Sequence, residues 1–330
     1  MKNFKKLCAI FLSAVVLVVF SGCKAENGSG PATEPDVVLK EAMGNVYAIY
    51  AGGYELSFNG DMTANETPDA PDATTSASRN VNFDVVLSGI FDSQDKTSPK
   101  FTLGVDAKVK TGEEPVSLLG AELRLTKDYL YGVLSKAEGG PSEIPVEVTQ
   151  LLGQWYKMPV PPDTFATSNL PTGKEEDLSP DQLKMKELIV KSSFFKDTKY
   201  VGTEDVNGVS SYHYTVVLDK DGIKKFLEEA ALLSGSQLTD TDKQDMDDAL
   251  SSTDLSGDIW VGADDMIIRK ADGDLKMTLQ DTGVLDMTFG IALENVNKVQ
   301  TVEEPADAKD FDPSVLFGAS SLLQGATTGQ

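Results

Sequence analysis

The chain has 330 residues, of which 52 are acidic and 29 basic, giving a formal net charge of −23. A surface this negative repels phosphate backbones, which excludes nucleic-acid binding as a main role. A hydrophobic fraction of 40% is enough for a folded core, and the length suits one large β-rich domain or two small ones.

In "MKNFKKLCAIFLSAVVLVVFSGCK", Lys2, Lys5 and Lys6 precede an apolar stretch from Leu7 to Phe20 that is short for a bilayer span, so residues 1–22 read as a secretory signal. Its ending, Ser21-Gly22-Cys23, resembles the bacterial lipobox, with Phe20 standing where an aliphatic residue is preferred. Cys23 is then the lipidated first residue of the mature protein. Cys8 leaves with the signal, so no thiol remains for a disulfide, a nucleophile or a metal. Several acyl chains on one residue imply firm anchoring, and the polar, Gly/Pro-rich residues 24–36 form a flexible tether. The location expected is extracytoplasmic and membrane-anchored. Lys24 does not select between inner and outer membrane.

Residues 37–317 form the expected domain, ahead of a disordered tail at 318–330. The domain opens on an amphipathic helix over 37–50 with Asp36 as cap. The period then becomes two. Residues 54–62, 82–91 and 101–110 alternate as half-exposed antiparallel strands, the last with Phe101, Leu103, Val105, Ala107 and Val109 on one side. Residues 121–134 read as a hairpin turning at 126–128. Residues 258–296 read as a meander with turns at "GADD", "ADGD" and "QDTG". About ten to twelve strands follow, more than a flat open sheet carries, so the fold class is α+β with a strongly curved antiparallel sheet or partial barrel. Helices interrupt it at 179–195 (Ser179 with Gln182 as capping box), after Asp221, and at 241–252 (Thr241 with Gln244). Residues 64–79 and 159–177 read as loops, the second a possible lid whose commoner role is a solvated loop.

The sequence offers little for catalysis. Zinc-type sites need several His or Cys ligands, and the chain has one histidine. In "DKDG" (219–222) the calcium-loop spacing fails at Ile223 and Gly222, so Asp221 reads as a helix cap. No nucleophile elbow or phosphate loop occurs, and acid pairs among 52 carboxylates carry no specificity. No cofactor is expected.

The lone histidine lies in "VNGVSSYHYTVVLD" (206–219). Ser210, Tyr212, Tyr214, Val216 and Leu218 point one way, and Val209, Ser211, His213, Thr215 and Val217 the other. His213 is thus on the more polar face and expected to be replaceable. Tyr212 and Tyr214, large apolar bodies with a polar tip, suit a core or the wall of an apolar cavity.

"VGTEDVNGVSSYHYTVVLD" (201–219), "DIWVGADDMIIRK" (258–270), "LYGVL…QWYKMP" (130–159) and "VQTVEEPADAKDF" (299–311) together resemble the LolA-like fold of lipoprotein carriers, in particular the LppX/LprAFG lipoproteins of bacterial envelopes. The resemblance implies a half-barrel with helices over its concave face, an apolar cavity for acyl chains, and no catalytic residues. The expected partners are an acyl lipid or lipidated molecule and the membrane, through Cys23. The cavity candidates are Tyr212, Tyr214, Val216, Phe101, Leu103, Val105 and Trp260. The alternatives are an interaction lipoprotein with a filled core and an envelope-protein partner, and, last, an acid-pair hydrolase.

Overall fold

The computed structural model describes residues 34–65, 78–113, 115–139, 151–161, 164–165, 170–279 and 283–311. The signal, Cys23, the tail and much of the 64–79 and 159–177 segments lie outside them. Twelve strands form one sheet: β1 (Ala51–Asn65), β2 (Ser78–Asp92), β3 (Lys100–Thr111), β4 (Ser117–Leu125), β5 (Tyr129–Glu138), β6 (Tyr156–Pro159), β7 (Phe195–Val206), β8 (Val209–Leu218), β9 (Thr253–Gly262), β10 (Ile268–Leu279), β11 (Gly283–Glu294) and β12 (Lys309–Asp310). Their order is β12-β6-β5-β4-β3-β2-β1-β11-β10-β9-β8-β7. All neighbours are antiparallel except the two-residue pairing of β12 with β6. The sheet is curved and open, and the described residues include four helices: α1 (Pro35–Gly44), α2 (Pro180–Lys191), α3 (Lys220–Leu233) and α4 (Asp240–Ser251). The expected α+β class with a curved antiparallel sheet is what the structure shows.

Period-two alternation makes one sheet face apolar and the other polar. On the apolar face Leu56 lies between Ile291 and Leu87, Leu87 faces Val105, and Val105 faces Ala121. The same face continues through Ala271 and Ile259 to Tyr214. The polar face carries cross-strand pairs such as Lys108–Asp84 and Lys276–Asp286, each at 3.4 Å. The core forms where the helices cover the apolar face: Val38, Leu39 and Met43 of α1, Leu188 and Ile189 of α2 and Phe226 of α3 pack with Tyr212, Tyr214, Ile259, Val261 and Ile291. Each such side chain, fully buried, contributes about 1.5–3 kcal/mol.

Several local expectations shift. The first helix begins at Pro35 with Asp36 inside its first turn, and gives way to a short 3-10 turn at Asn45–Ala48. The Ser179–Gln182 capping box forms as expected. The cap of α3 is Asp219, whose side chain accepts from Gly222 N, rather than Asp221. The box of α4 is Thr239 with Asp242 rather than Thr241 with Gln244. In both cases the competing acceptor lies two residues upstream, where the chain is still extended and a cap belongs. "ADGD" is not a turn, because β10 runs straight through it. Gly273 lies beneath the Phe289 ring, and a Cβ there would stand 2.5 Å from Phe289 Cζ. An aromatic from the neighbouring strand roofs the glycine and keeps it in the ladder.

Gly89 marks a second close approach. The Tyr54 hydroxyl donates to Thr102 O at 2.9 Å, and Ile90 N donates to Thr102 Oγ1 at 3.0 Å. The direct β2–β3 ladder lapses between the pairs Ser88–Gly104 and Phe91–Phe101. Any Cβ at Gly89 would collide with Thr102 O. At the far edge, β7 meets β8 with two register shifts, at Lys196/Lys199 and Tyr200/Gly202, and Asp197 sits at φ 53°.

Candidate functional site

The helices make their main contacts with the sheet at β7 and β9. Across β1 to β5 the apolar face continues beyond them. Phe58 and Met62, Val81, Phe83, Val85 and Leu87, and Leu103, Val105, Ala107 and Val109 share this face by register, and β4 extends it through Leu119, Ala121 and Leu123. Every one of these positions is apolar, yet none is fully buried. A monomeric protein seldom leaves such a contiguous surface to water, and a patch of this kind marks a binding surface.

The strip has two unlike ends. At the end where β1 begins and β2 finishes, a hydrogen-bonded plug closes the sheet. Tyr50 N donates to Asn297 Oδ1 and Tyr50 Oη to Asn297 O, both at 3.0 Å, while Asn297 Nδ2 reaches Ala48 O at 3.0 Å. Ser93 N donates to Tyr50 O at 2.7 Å and Ser93 Oγ to Pro171 O at 2.5 Å. Gln300 N donates to Asp92 Oδ2 at 3.1 Å, and Gly173 packs beneath the Tyr50 ring. Residues 170–178, part of the expected loop, are therefore pinned: Thr172 donates to Asp177 at 2.5 Å, and Lys186 pairs with Glu175 at 2.9 Å. The Thr172 hydroxyl, with Lys96 nearby, holds the Asp177 carboxyl below its ordinary value. Exposure along β4 follows the same gradient, from 4% at Leu125 beside the plug to 39% at Leu123 and 45% at Leu119.

The expected site residues divide into three groups. Phe101, Leu103 and Val105 lie on this strip, half-buried. Tyr212, Tyr214 and Val216 lie in the filled core under the helices, with Tyr214 0% exposed. Trp260 does not join them. Its register partner is His213, so it stands on the polar face, while its neighbours Ile259 and Val261 face the core. The sequence placed it one residue out of phase. Cys23 lies outside the described residues.

On the polar face His213 and Trp260 build a ladder across four strands. The imidazole stacks on the indole with ring centroids 4.3 Å apart and planes at 17°, and Lys270 Nζ lies 4.4 Å from the indole centre. His213 Nδ1 lies 2.8 Å from Glu204 Oε1 and Nε2 2.7 Å from Asp258 Oδ1. Trp260 Nε1 donates to Glu204 Oε2 at 2.9 Å. These contacts tie β7, β8, β9 and β10 together, a structural use of the lone histidine that its neighbours in sequence do not announce.

The indole N–H, and then His213, hold the Glu204 carboxyl below the ordinary carboxylate range. A carboxylate with a depressed folded value stabilises above its unfolded value of about 4.3 and loses that contribution as pH falls through the lower folded value. The Glu204 carboxyl carbon, followed by NMR, should therefore titrate below the ordinary carboxylate range. Titration within that range would show that Glu204 is not so held.

Among the described residues no group of three His, Cys, Asp or Glu side chains is placed to hold a metal ion. No described helix is long and apolar enough to cross a membrane.

No protein-family model and no curated protein matches the chain. Solved structures similar to it include LprF from Mycobacterium bovis, 11% identical over 84% of this chain and 100% of that one, with a TM-score of 0.36. The Mycobacterium tuberculosis lipoprotein LppX is 10% identical over 82% of this chain and 100% of that one, with a TM-score of 0.27. A structure of lipovitellin concerned with lipid–protein interactions is 7% identical over 80% of this chain and 27% of that one, with a TM-score of 0.30. LprF and LppX belong to the group whose motifs the sequence resembles.

Proposed function

We propose that this protein is an envelope lipoprotein, anchored through Cys23, that holds an acyl lipid against the β1–β5 part of its apolar sheet face without covalent chemistry. The observation that carries this reading is the strip itself: a run of wholly apolar, half-exposed positions on neighbouring strands, beyond the main helix contacts. A hydrocarbon laid there gains about 25 cal/mol for each Å² of apolar surface taken from water and meets no charged side chain of the strip. The lipoprotein signal supports the same reading, since a protein held at a bilayer works beside its ligand. Phe101, Leu103 and Val105 are the contact residues we assign from the original candidates; Tyr212, Tyr214 and Val216 hold the covering helices in place.

A second reading rests on a different observation. The core between the helices and β8–β9 is filled, which is what an interaction lipoprotein with an envelope-protein partner requires. Native mass spectrometry of the full chain separates the two. Under the lipid-binding reading, acyl lipid co-purifies, is removable by extraction, and rebinds. His213→Ala, on the opposite face, leaves the bound amount unchanged while lowering stability by about 1–2 kcal/mol through the lost stacking and carboxylate contacts. A chain that carries no lipid and takes none up after extraction belongs to the interaction reading.

A further inference from the structure

The two ends of the strip give a bound lipid a direction. Resting on the lipid-binding reading, we propose that an unbranched acyl chain lies along β2 and β3 with its terminal methyl at the plugged end, beside Phe91 and Phe101, and its polar head at the opposite end, beside Phe83 and Val109.

Three observations support this orientation. The first is closure. At the Phe91–Phe101 end, Tyr50, Asp92, Ser93 and Asn297 are committed to the plug, and their backbone and side-chain groups bond one another rather than presenting donors to a headgroup. A polar head seated there would lose its water without finding partners, at a cost of several kcal/mol. At the other end the neighbouring outward positions are exposed and polar: Asp61, Asn82 and Lys110 all stand in water. A headgroup there keeps its hydration.

The second is length. From Phe91 to Val81 the strand advances ten residues, about 33 Å at about 3.3 Å per residue. One leaflet of a bilayer is half of a hydrocarbon core about 30 Å thick, so the strip is longer than the depth a membrane lipid's chain occupies in a bilayer and can take that chain fully extended along β2 and β3.

The third is where the chain outside the described residues starts. The first turns of α1, at Asp36, Leu39 and Lys40, lie against Ser193, Phe194 and Phe195. Phe195 pairs with Leu218 at the end of β8, which the ladder connects to the ends of β1 and β3 and the start of β2. The helix then runs toward the plug, where Asn45 donates to Met266 O at 3.2 Å. The described chain therefore begins on the side on which the strip is open. An anchor upstream of that point favours entry at the open end, so that an acyl chain goes in methyl-first and leaves its head nearest the membrane.

The experiment uses the full chain carrying Cys23→Ser, so that no acyl group of its own competes, with Phe101→Trp at the plugged end or Phe83→Trp at the open end. Both replace one half-buried aromatic by another. The probes are stearic acids bearing a nitroxide near the terminal methyl or near the carboxyl, and the chain without either substitution supplies the background emission. Phe101→Trp should lose most of its added emission to the methyl-labelled acid and little to the carboxyl-labelled one, and Phe83→Trp the reverse. The opposite pattern, or equal quenching of both positions by both probes, overturns the orientation while leaving lipid binding intact. Saturable quenching by neither probe at either position sinks the lipid-binding reading and the orientation with it. Should either variant misfold by circular dichroism, Leu103→Trp and Val109→Trp probe the same two ends with the same readings.

Discussion

Val105→Asp should abolish most lipid retention while leaving the fold standing. Val105 lies in the middle of the strip, between Leu87 of β2 and Ala121 of β4, and is half-buried in the structure. A carboxylate at a half-exposed position keeps much of its hydration in the free protein, so the stability cost is about 1 kcal/mol. In the lipid-bound state a hydrocarbon chain would cover it, and the charge would then either stay buried without a partner or hold the lipid off the sheet. Either outcome costs more than 1.4 kcal/mol, the equivalent of a tenfold loss of affinity. Asp106→Ala, one residue along and on the polar face, is the control and should bind as the parent does. Equal losses from both substitutions would mean that the response is general destabilisation, and an unaffected Val105→Asp would remove this face from the binding site.

Tyr214 should give the largest stability effects, in opposite directions for two substitutions. Its ring is fully buried between the sheet and the helices, and its hydroxyl has no hydrogen-bond partner among the described residues. Burial pushes its ionisation up to about 12, so the hydroxyl stays neutral across any working pH. Tyr214→Phe removes an unsatisfied polar group and keeps the volume, and should stabilise by about 1 kcal/mol. Tyr214→Ala leaves a cavity where the Tyr200, Tyr212 and Ile259 contacts were, and should cost about 3–5 kcal/mol. Urea denaturation followed by circular dichroism measures both. If Tyr214→Phe destabilises, the hydroxyl has a partner, such as a buried water, and this end of the core is more polar than its side chains suggest.

The two sets of positions explain which parts of the protein could be read from its sequence. Alternation in "FTLGVDAKVK" gives β3 and its apolar side directly, because a half-exposed strand records its environment in every second residue. The facing of Tyr212 and Tyr214 away from His213 follows from the same rule. The Ser179–Gln182 box is legible because both of its hydrogen bonds lie within four residues. By contrast, the caps of α3 and α4 each had two acceptors in reach, and the one at the extended residue upstream is used. Trp260 was assigned to the wrong side because "DIWVGADD" has apolar residues on both faces and no local phase to fix them. Gly273 looked like a turn because the Phe289 ring that roofs it comes from the neighbouring strand, sixteen residues on in the chain. Where the helices stop covering the sheet is a property of helix placement across strands distant in sequence, and no local pattern encodes it.

The irregular margin of the sheet has a consequence of its own. An open twelve-stranded sheet ends in edge strands whose backbone donors and acceptors can template a second copy, and copies of a lipid-anchored protein, as proposed above, would meet at high local concentration. One margin is the two-residue β12 lying parallel to the four-residue β6, too short to template a neighbour. The other is β7, broken twice in register, bent at Asp197 and bearing exposed Lys196, Lys199, Glu204 and Asp205. A second molecule cannot add a continuous strand to either. Edge-to-edge pairing of copies is therefore disfavoured at both described margins, which leaves the half-exposed apolar strip as the extended apolar surface among the described residues.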